Sequence, residues 1–438
     1  MAPLKKRTVP TKENTPRLSP VRRIDRVYTR ERICAVAVCD GPCRLPACPD
    51  LNRGKALTAV LADTLERHGA KGTFLIIGST GECYPDKPGR SGSTVWSGTR
   101  YDHLPAFGLD GEGGAANCPE LVVRLLAGGH ELGSHGYAHR AADWPTVPKK
   151  RRLLRDLDAV VEDQRRLQTL TDAMGVPPLR LARPPRDIET TRDGFTCRDA
   201  YALTGCQHIT ASYDCSRPVA LASLQEECAA MWKPMEQQLL EDPNAFCGQI
   251  IGLYDGFNAA GRSPVPEALD RQLQLLRDHG YRVVTVSRLL EVSPFRDTDP
   301  ESEVGRAARR LMNLGWCTAY EDNCLRADAV LTRGELAMMV YGREAARHRI
   351  ALVRSGKAPF RDMAPRHPYA AAAAMADTTG AIPADDGKFR PDEPVTFTDI
   401  RRLCAVRLGR SPAQQDQASL THRQFFLLLS RLLSGETV

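Results

Sequence analysis

Residues 33–38, Ile-Cys-Ala-Val-Ala-Val, form a continuous apolar run that Asp40-Gly41-Pro42 ends. A short apolar run closed by turn formers is the pattern of a strand buried on both faces. Leu57, Val60, Leu61 and Leu65 then recur at helical spacing, and Gly72 to Gly78 reads as a second strand, Thr-Phe-Leu-Ile-Ile between two glycines. Residues 79–117 are rich in Gly, Ser and Asp and carry neither period, which predicts a loop insertion. A helix opening on Pro119 runs to Ala127, a charged helix covers about Lys149 to Met174, and short strands are expected near 179–181, 209–211, 249–253 and 282–286. Strands alternating with helices through residue 293 predict a distorted parallel (β/α) barrel. Chemistry on such a fold collects where strands end, and Asp40, Arg183 and Tyr254 each follow a predicted strand.

Beyond Pro294 long apolar strands give way to short helices, and the chain repeats itself. Pro294-Phe295-Arg296-Asp297 returns as Pro359-Phe360-Arg361-Asp362, and Arg326-Ala327-Asp328-Ala329-Val330-Leu331-Thr332 as Arg390-Pro391-Asp392-Glu393-Pro394-Val395-Thr396. Two matched anchors at one period define copies over 294–342 and 358–408, with a partial third over 410–434 whose helix runs from Phe425 to Leu433. The expected organisation is therefore a leader (1–32), a barrel (33–293) and a mostly helical repeat unit (294–438).

The chain has 438 residues, 42% hydrophobic and 26% charged, with a net charge of +7. Ten Lys or Arg against three Asp or Glu lie in the first 32 residues, so the leader holds the whole excess and the rest is neutral. That distribution excludes a large basic nucleic-acid surface and predicts a disordered, solvated leader. The leader lacks the apolar core of a secretory signal, and no run reaches the ~18 apolar residues of a membrane span. Of the fourteen cysteines, Cys34, Cys39, Cys43 and Cys48 crowd one segment without a CxxC pair, a poor pattern for a zinc knuckle. Reduced thiols are the simpler reading, with a Cys317–Cys324 bridge left open.

Gly129 to Arg140 sets His135 and His139 four residues apart behind two glycines. Two imidazoles so spaced can face one ion, and a carboxylate from elsewhere can complete the site, although chance also supplies such pairs. The company is informative. Val38-Cys39-Asp40-Gly41-Pro42, Lys71-Gly72-Thr73-Phe74, Gly129-His130-Glu131 with the His pair, Arg183-Pro184-Pro185, Ile250 to Asp255 and Gly280 to Ser287 occur in the order of the polysaccharide deacetylases, the NodB-homology carbohydrate esterases. The first 290 residues resemble that family. The repeats, with Phe-Arg-Asp openings and Leu331-Thr332-Arg333-Gly334-Glu335, resemble S-layer homology (SLH) repeats, which attach proteins to cell-wall polymers.

The first resemblance implies a divalent metal, usually zinc, held by Asp40, His135 and His139, that activates water to remove N-acetyl groups from amino-sugar polymers. It places Cys39, Arg183 and Tyr254 at catalytic positions and Pro184 and Pro185 beside the substrate. It also exposes two departures. Cys39 stands where the family has its base aspartate, and Tyr254 where it has its acid histidine. Arg183 beside Cys39 is expected to lower the thiol pKa and favour a thiolate, which could serve as base or as a further zinc ligand; mere packing roles for Cys39 and Tyr254 are the alternative. His130 is expected to be structural, Asp214 to be a turn residue, and Asp187 stays ambiguous. Trp96 and Tyr101 are read as sugar-stacking or loop-anchoring aromatics. The two functions in play are a wall-anchored N-deacetylase and a catalytically impaired barrel that binds glycan. The SLH resemblance points to the cell wall, the leader does not, and a cytoplasmic location stays open.

Overall fold

The computed structural model describes residues 16–47, 54–79, 112–142, 153–215, 220–258, 262–292, 295–413 and 419–435. Trp96, Tyr101 and most of the expected insertion lie outside them. The chain divides into two compact units, Arg23–Pro294, and Met1–Arg22 together with Phe295–Val438.

The first unit is, among the described residues, a curled sheet of nine parallel strands with helices outside it. In chain order these are β1 (Arg23–Ile24), β2 (Ile33–Cys39), α1 (Leu57–Arg67), β3 (Thr73–Ile76), α2 (Pro119–Ala127), β4 (Glu131–Ser134), α3 (Leu157–Asp172), β5 (Leu181–Ala182), α4 (Cys197–Thr204), β6 (Gln207–Ile209), β7 (Tyr213–Asp214), α5 (Leu224–Glu241), β8 (Ile250–Tyr254), α6 (Val265–Asp278), β9 (Arg282–Val284) and α7 (Val286–Val292). The sheet runs β1-β6-β5-β4-β3-β2-β8-β7, with β9 also paired to β2. Strand β2 explains the unbroken apolar run. Ile33, Ala35, Ala37 and Cys39 pack inward with Leu75, Leu181, Ile209 and Ile250. Cys34, Val36 and Val38 pack outward in the cluster that holds Leu57, Leu61 and Leu65 of α1 and Leu269 and Leu273 of α6. Both faces are buried, so period-2 alternation of polarity vanishes.

Closure is incomplete. Strands β6 and β7 belong to opposite ends of the hydrogen-bonded path, yet Ile209 and Tyr213 are four residues apart. Four residues span at most about 14 Å, so the sheet must roll until its ends nearly meet. No ladder joins β6 to β7 among the described residues; the seam carries only isolated links such as Val27 N–H to Gly248 O, 2.8 Å. The expected barrel is thus an open, rolled sheet. Its β4 was not foreseen as a strand, since Glu-Leu-Gly-Ser has neither an apolar run nor β-branched residues.

The second unit contains α8 (Glu303–Asn313), α9 (Arg333–Tyr341), α10 (Ala346–Ser355), α11 (Ala370–Thr378), α12 (Phe397–Leu408) and α13 (His422–Leu433). The internal repeat is written into its hydrogen bonds. The Asp297 carboxylate accepts from Leu325 and Arg326 N–H at 2.7 and 2.8 Å, and Asp362 accepts from Phe389 and Arg390 N–H at 3.0 and 2.7 Å. Arg326 and Arg390 share a left-handed backbone, with φ of 54° and 56°. Capping boxes open α9 (Thr332, Glu335), α12 (Thr396, Asp399) and α13 (Thr421, Gln424). Their lead-in segments are joined, Leu331 N–H to Leu420 O and Val395 N–H to Leu331 O.

Helix α8 packs along α13 and α11 along α9, whereas among the described residues no helix lies between α12 and α13 to serve α12 in the same way. The sequence matches that gap. Where α9 has Ala337 and Met338, and α13 has Phe426 and Leu427, α12 has the exposed Arg401 and Arg402.

For residues 16–24 the expectation of a solvated leader requires correction, while residues 1–15 lie outside the described residues. Within this second unit, Leu18 and Val21 are buried, Leu18 bridges Tyr320, and the Arg22 guanidinium donates to Asn323 Oδ1 at 2.9 Å. Residues 23–24 are strand β1 of the first unit. A count of charges reads Arg22 as solvated; tertiary contacts supply it with a buried acceptor instead.

Candidate active site

Three side chains converge at the open ends of β2 and β4. Asp40 directly follows β2, and His135 directly follows β4. Asp40 Oδ1 lies 3.1 Å from His135 Nε2 and 3.3 Å from His139 Nε2. All three residues are at most 5% exposed. The His135 ring is set by its other nitrogen, Nδ1, against Arg183 O at 2.9 Å. Backbone strain surrounds the cluster: Asp40 (φ 79°), His139 (50°), Arg186 (61°) and Asp187 (55°) all occupy the left-handed region. Such conformations cost about 1–3 kcal/mol each and persist where the surroundings enforce them, commonly at functional sites.

The cluster fits a divalent cation. Metal–ligand distances near 2.0–2.2 Å in a tetrahedron put ligand atoms about 3.3–3.6 Å apart, close to the observed separations. Asp40 Oδ1 is buried and accepts no well-aligned hydrogen bond, which leaves its lone pairs available. Burial alone would raise the Asp40 carboxyl, but the two imidazoles hold it well below the usual range. Burial pushes His139 down to about 4 against the opposing pull of Asp40. At neutral pH the set is therefore one carboxylate with a neutral His139, the protonation a metal requires.

The residues around it form two further groups. Cys39 sits at the inward-facing end of β2, in register with Leu75 and Tyr254 on its neighbours. Its Sγ accepts from Arg183 Nη1 at 3.4 Å. The expected thiolate is not supported. Burial pushes the Cys39 thiol up to about 12, outweighing Arg183. That guanidinium is already engaged, donating from Nε and Nη2 to Asp187 at 2.9 and 2.7 Å, and Arg183 in turn keeps the Asp187 carboxyl low against its burial. Asp187 also accepts from Thr210 Oγ1 at 3.1 Å.

Pro184 and Pro185, expected beside the substrate, are both buried. They build the corner that turns the chain back so that Asp187 reaches Arg183. Tyr254 is half-buried and its hydroxyl donates to Asp214 Oδ2 at 3.0 Å, so Asp214 is more than a turn residue. Burial and Asp214 raise the Tyr254 pKa and keep it a neutral donor. His130 is structural as expected: Gly72 N–H meets its Nδ1 at 3.1 Å and Glu66 its Nε2 at 3.2 Å. Cys317 and Cys324 are both free thiols, so no bridge joins them.

Sequence reading missed Asp163. It lies on α3 and takes the N–H groups of Tyr137 and Ala138 at 2.7 and 3.2 Å. Burial lifts its pKa to about 6, opposed by those two N–H groups. A signal existed, because Asp163 and Gln164 fall on the face of α3 that otherwise buries Val160, Val161 and Leu167.

Residues 30–191 match the polysaccharide deacetylase family, and this stretch is a domain of that type. It holds Cys39, Asp40, both histidines and Arg183, and ends before Tyr254. No curated protein matches the chain. Among solved structures it is similar to a CE4 family pseudoenzyme from Bacillus anthracis (14% identity, 62% of this chain and 70% of that one, TM-score 0.38). It is similar also to the chitin deacetylase of the fungal pathogen Colletotrichum lindemuthianum (19%, 61% and 90%, TM-score 0.40) and to the peptidoglycan deacetylase PdaC of Bacillus subtilis (16%, 65% and 96%, TM-score 0.37).

Proposed function

We propose that the first unit is a divalent-metal hydrolase, with zinc the best-suited ion, that removes N-acetyl groups from amino-sugar polymers such as peptidoglycan or chitin. The buried Asp40, His135 and His139 cluster carries this reading. A metal held there supplies Lewis-acid polarisation of the amide and a water nucleophile at neutral pH. The chain's own groups do the rest. Asp187 fixes the buried Arg183 beside Cys39, and Tyr254, oriented by Asp214, offers a hydroxyl to the departing amine. Burial disfavours a Cys39 thiolate, so on this reading the chain lacks its base and turnover is slow.

That same observation favours a second reading, a barrel that binds metal and glycan without hydrolysis. Acetate release from chitooligosaccharides and peptidoglycan fragments separates the two. Zinc-loaded protein exceeds an Asp40→Ala control under the first and equals it under the second. For the C-terminal unit we propose an SLH-like role, attachment to a cell-wall polymer at the cell surface. Binding of Phe295–Val438-containing protein to purified wall sacculi, absent after the repeats are removed, supports it; equal binding by the truncated protein refutes it.

A further inference from the structure

The metal reading leaves open what shapes the turn between the two histidines. His135 and His139 are separated by Gly136, Tyr137 and Ala138, and every backbone N–H of these three is taken by a side chain. Gly136 N–H goes to Ser134 Oγ at 3.1 Å, Tyr137 N–H to Asp163 Oδ2 at 2.7 Å and Ala138 N–H to Asp163 Oδ1 at 3.2 Å. Ser134 is itself fixed, its hydroxyl donating to Gln164 Oε1 at 2.6 Å. Two adjacent residues of α3 thus govern three consecutive amides, one directly and one through Ser134.

The turn needs such an anchor. Gly136 has φ of 80° and His139 has φ of 50°, so the segment enters and leaves through left-handed backbone. A Cβ at Gly136 would lie 2.7 Å from Asp163 Oδ2, which shows how closely the carboxylate is seated in the loop. His135 is oriented by the Arg183 carbonyl, outside the turn. His139 Nε2 reaches Asp40 only if the turn keeps its shape; Gly78 and Ser79 N–H hold the Tyr137 carbonyl at 2.8 and 2.7 Å on one side, and Asp163 holds the two successive N–H groups on the other. Asp163 is 4% exposed, and one carboxylate accepting from two successive amides defines their relative orientation in a way a single bond cannot.

We propose that Asp163 is a positioning residue for the metal centre, fixing the 136–138 turn so that His139 meets Asp40 and His135 around one ion. The role rests on the metal reading above. Groups that orient metal ligands without touching the ion typically contribute 10- to 100-fold to metal affinity.

The test uses the full chain and two variants. Asp163→Ala removes both acceptors. Asp163→Asn is nearly isosteric and retains one carbonyl oxygen, so it keeps one of the two bonds. Zinc dissociation constants are measured by competition with a chromophoric chelator, and amide hydrogen exchange over residues 134–140 is measured on metal-free protein. The expected result is zinc affinity weakened about 10- to 100-fold in Asp163→Ala and by a smaller factor in Asp163→Asn, with faster exchange at 136–138 in the same order. Zinc affinity within threefold of the parent in folded Asp163→Asn and Asp163→Ala overturns the proposal, even if both variants melt earlier, because a purely structural role predicts that pattern. If the parent binds no zinc, the metal reading falls and the positioning role falls with it; exchange that still rises in the variants then shows a turn anchor unconnected with metal.

Discussion

Replacing Cys39 with Asp asks directly whether the missing base limits turnover. The new carboxylate would lie at the inward end of β2, near the Arg183 Nη1 that now sits 3.4 Å from Cys39 Sγ. Full burial raises a carboxyl by up to about 3–5 units. Unit charges about 4 Å apart attract by roughly 4 kcal/mol at an effective dielectric near 20, and 1.36 kcal/mol corresponds to one pKa unit, so Arg183 returns about 3 of those units. Asp40, one residue away, works against ionisation, and a bound metal cation works for it. The balance leaves the introduced carboxyl ionised near pH 7, whereas the thiol, at about 12, is not. A correctly placed general base contributes about 10²- to 10⁴-fold. The expected outcome is kcat/KM for acetate release at least about 100-fold above the parent, with unchanged zinc stoichiometry and a lower melting temperature without metal. Steady-state assays on chitotetraose at several pH values read this. Stoichiometric zinc with less than a threefold gain would refute the reasoning and place the barrier elsewhere, with the Tyr254→His double variant as the next comparison.

Three other outcomes are expected. Zinc at about 100 times its dissociation constant stabilises the parent by about 2.7 kcal/mol in denaturant titrations, and this increment vanishes in Asp40→Ala and His135→Ala. His208 on β6 is fully buried and its pKa is pushed down to about 3 by burial and by Arg198 and Arg23, against about 6.5 unfolded. Between those values only the unfolded chain takes the proton, so stability falls as pH drops below 6.5, by about 1.4 kcal/mol per unit; between pH 7 and 5 the parent should lose about 2 kcal/mol more than His208→Leu in urea unfolding. Gly248 has φ of 72° and a Cβ there would lie 2.0 Å from Val27 O, at the seam of the rolled sheet, so Gly248→Ala should cost about 2–4 kcal/mol, read as a fall in melting temperature.

Much of this protein was legible in order along the chain. The apolar run at 33–38, the Pro119 helix and the two Phe-Arg-Asp anchors each express a local rule, and local rules survive any tertiary context. The HxxxH spacing with Asp40 behind a strand was similarly readable, because ligands that end strands inherit their positions from the sheet. Strand β4 and the Asp163 anchor were less accessible. Glu-Leu-Gly-Ser has no strand propensity and becomes a strand only between β3 and β5, and a polar residue on a buried helix face declares a partner without naming it.

The sequence by itself determined the α/β alternation, the repeat period and the identity of the metal-competent side chains, since periodicity and ligand chemistry belong to residues. Tertiary structure decided what depends on environment. It decided that Cys39 stays protonated, because its burial outweighs Arg183. It decided that Arg183 answers to Asp187 and Tyr254 to Asp214, and that residues 16–24 pack instead of trailing in solvent. Desolvation and pairing act between groups distant in sequence, and folding alone brings those groups within reach.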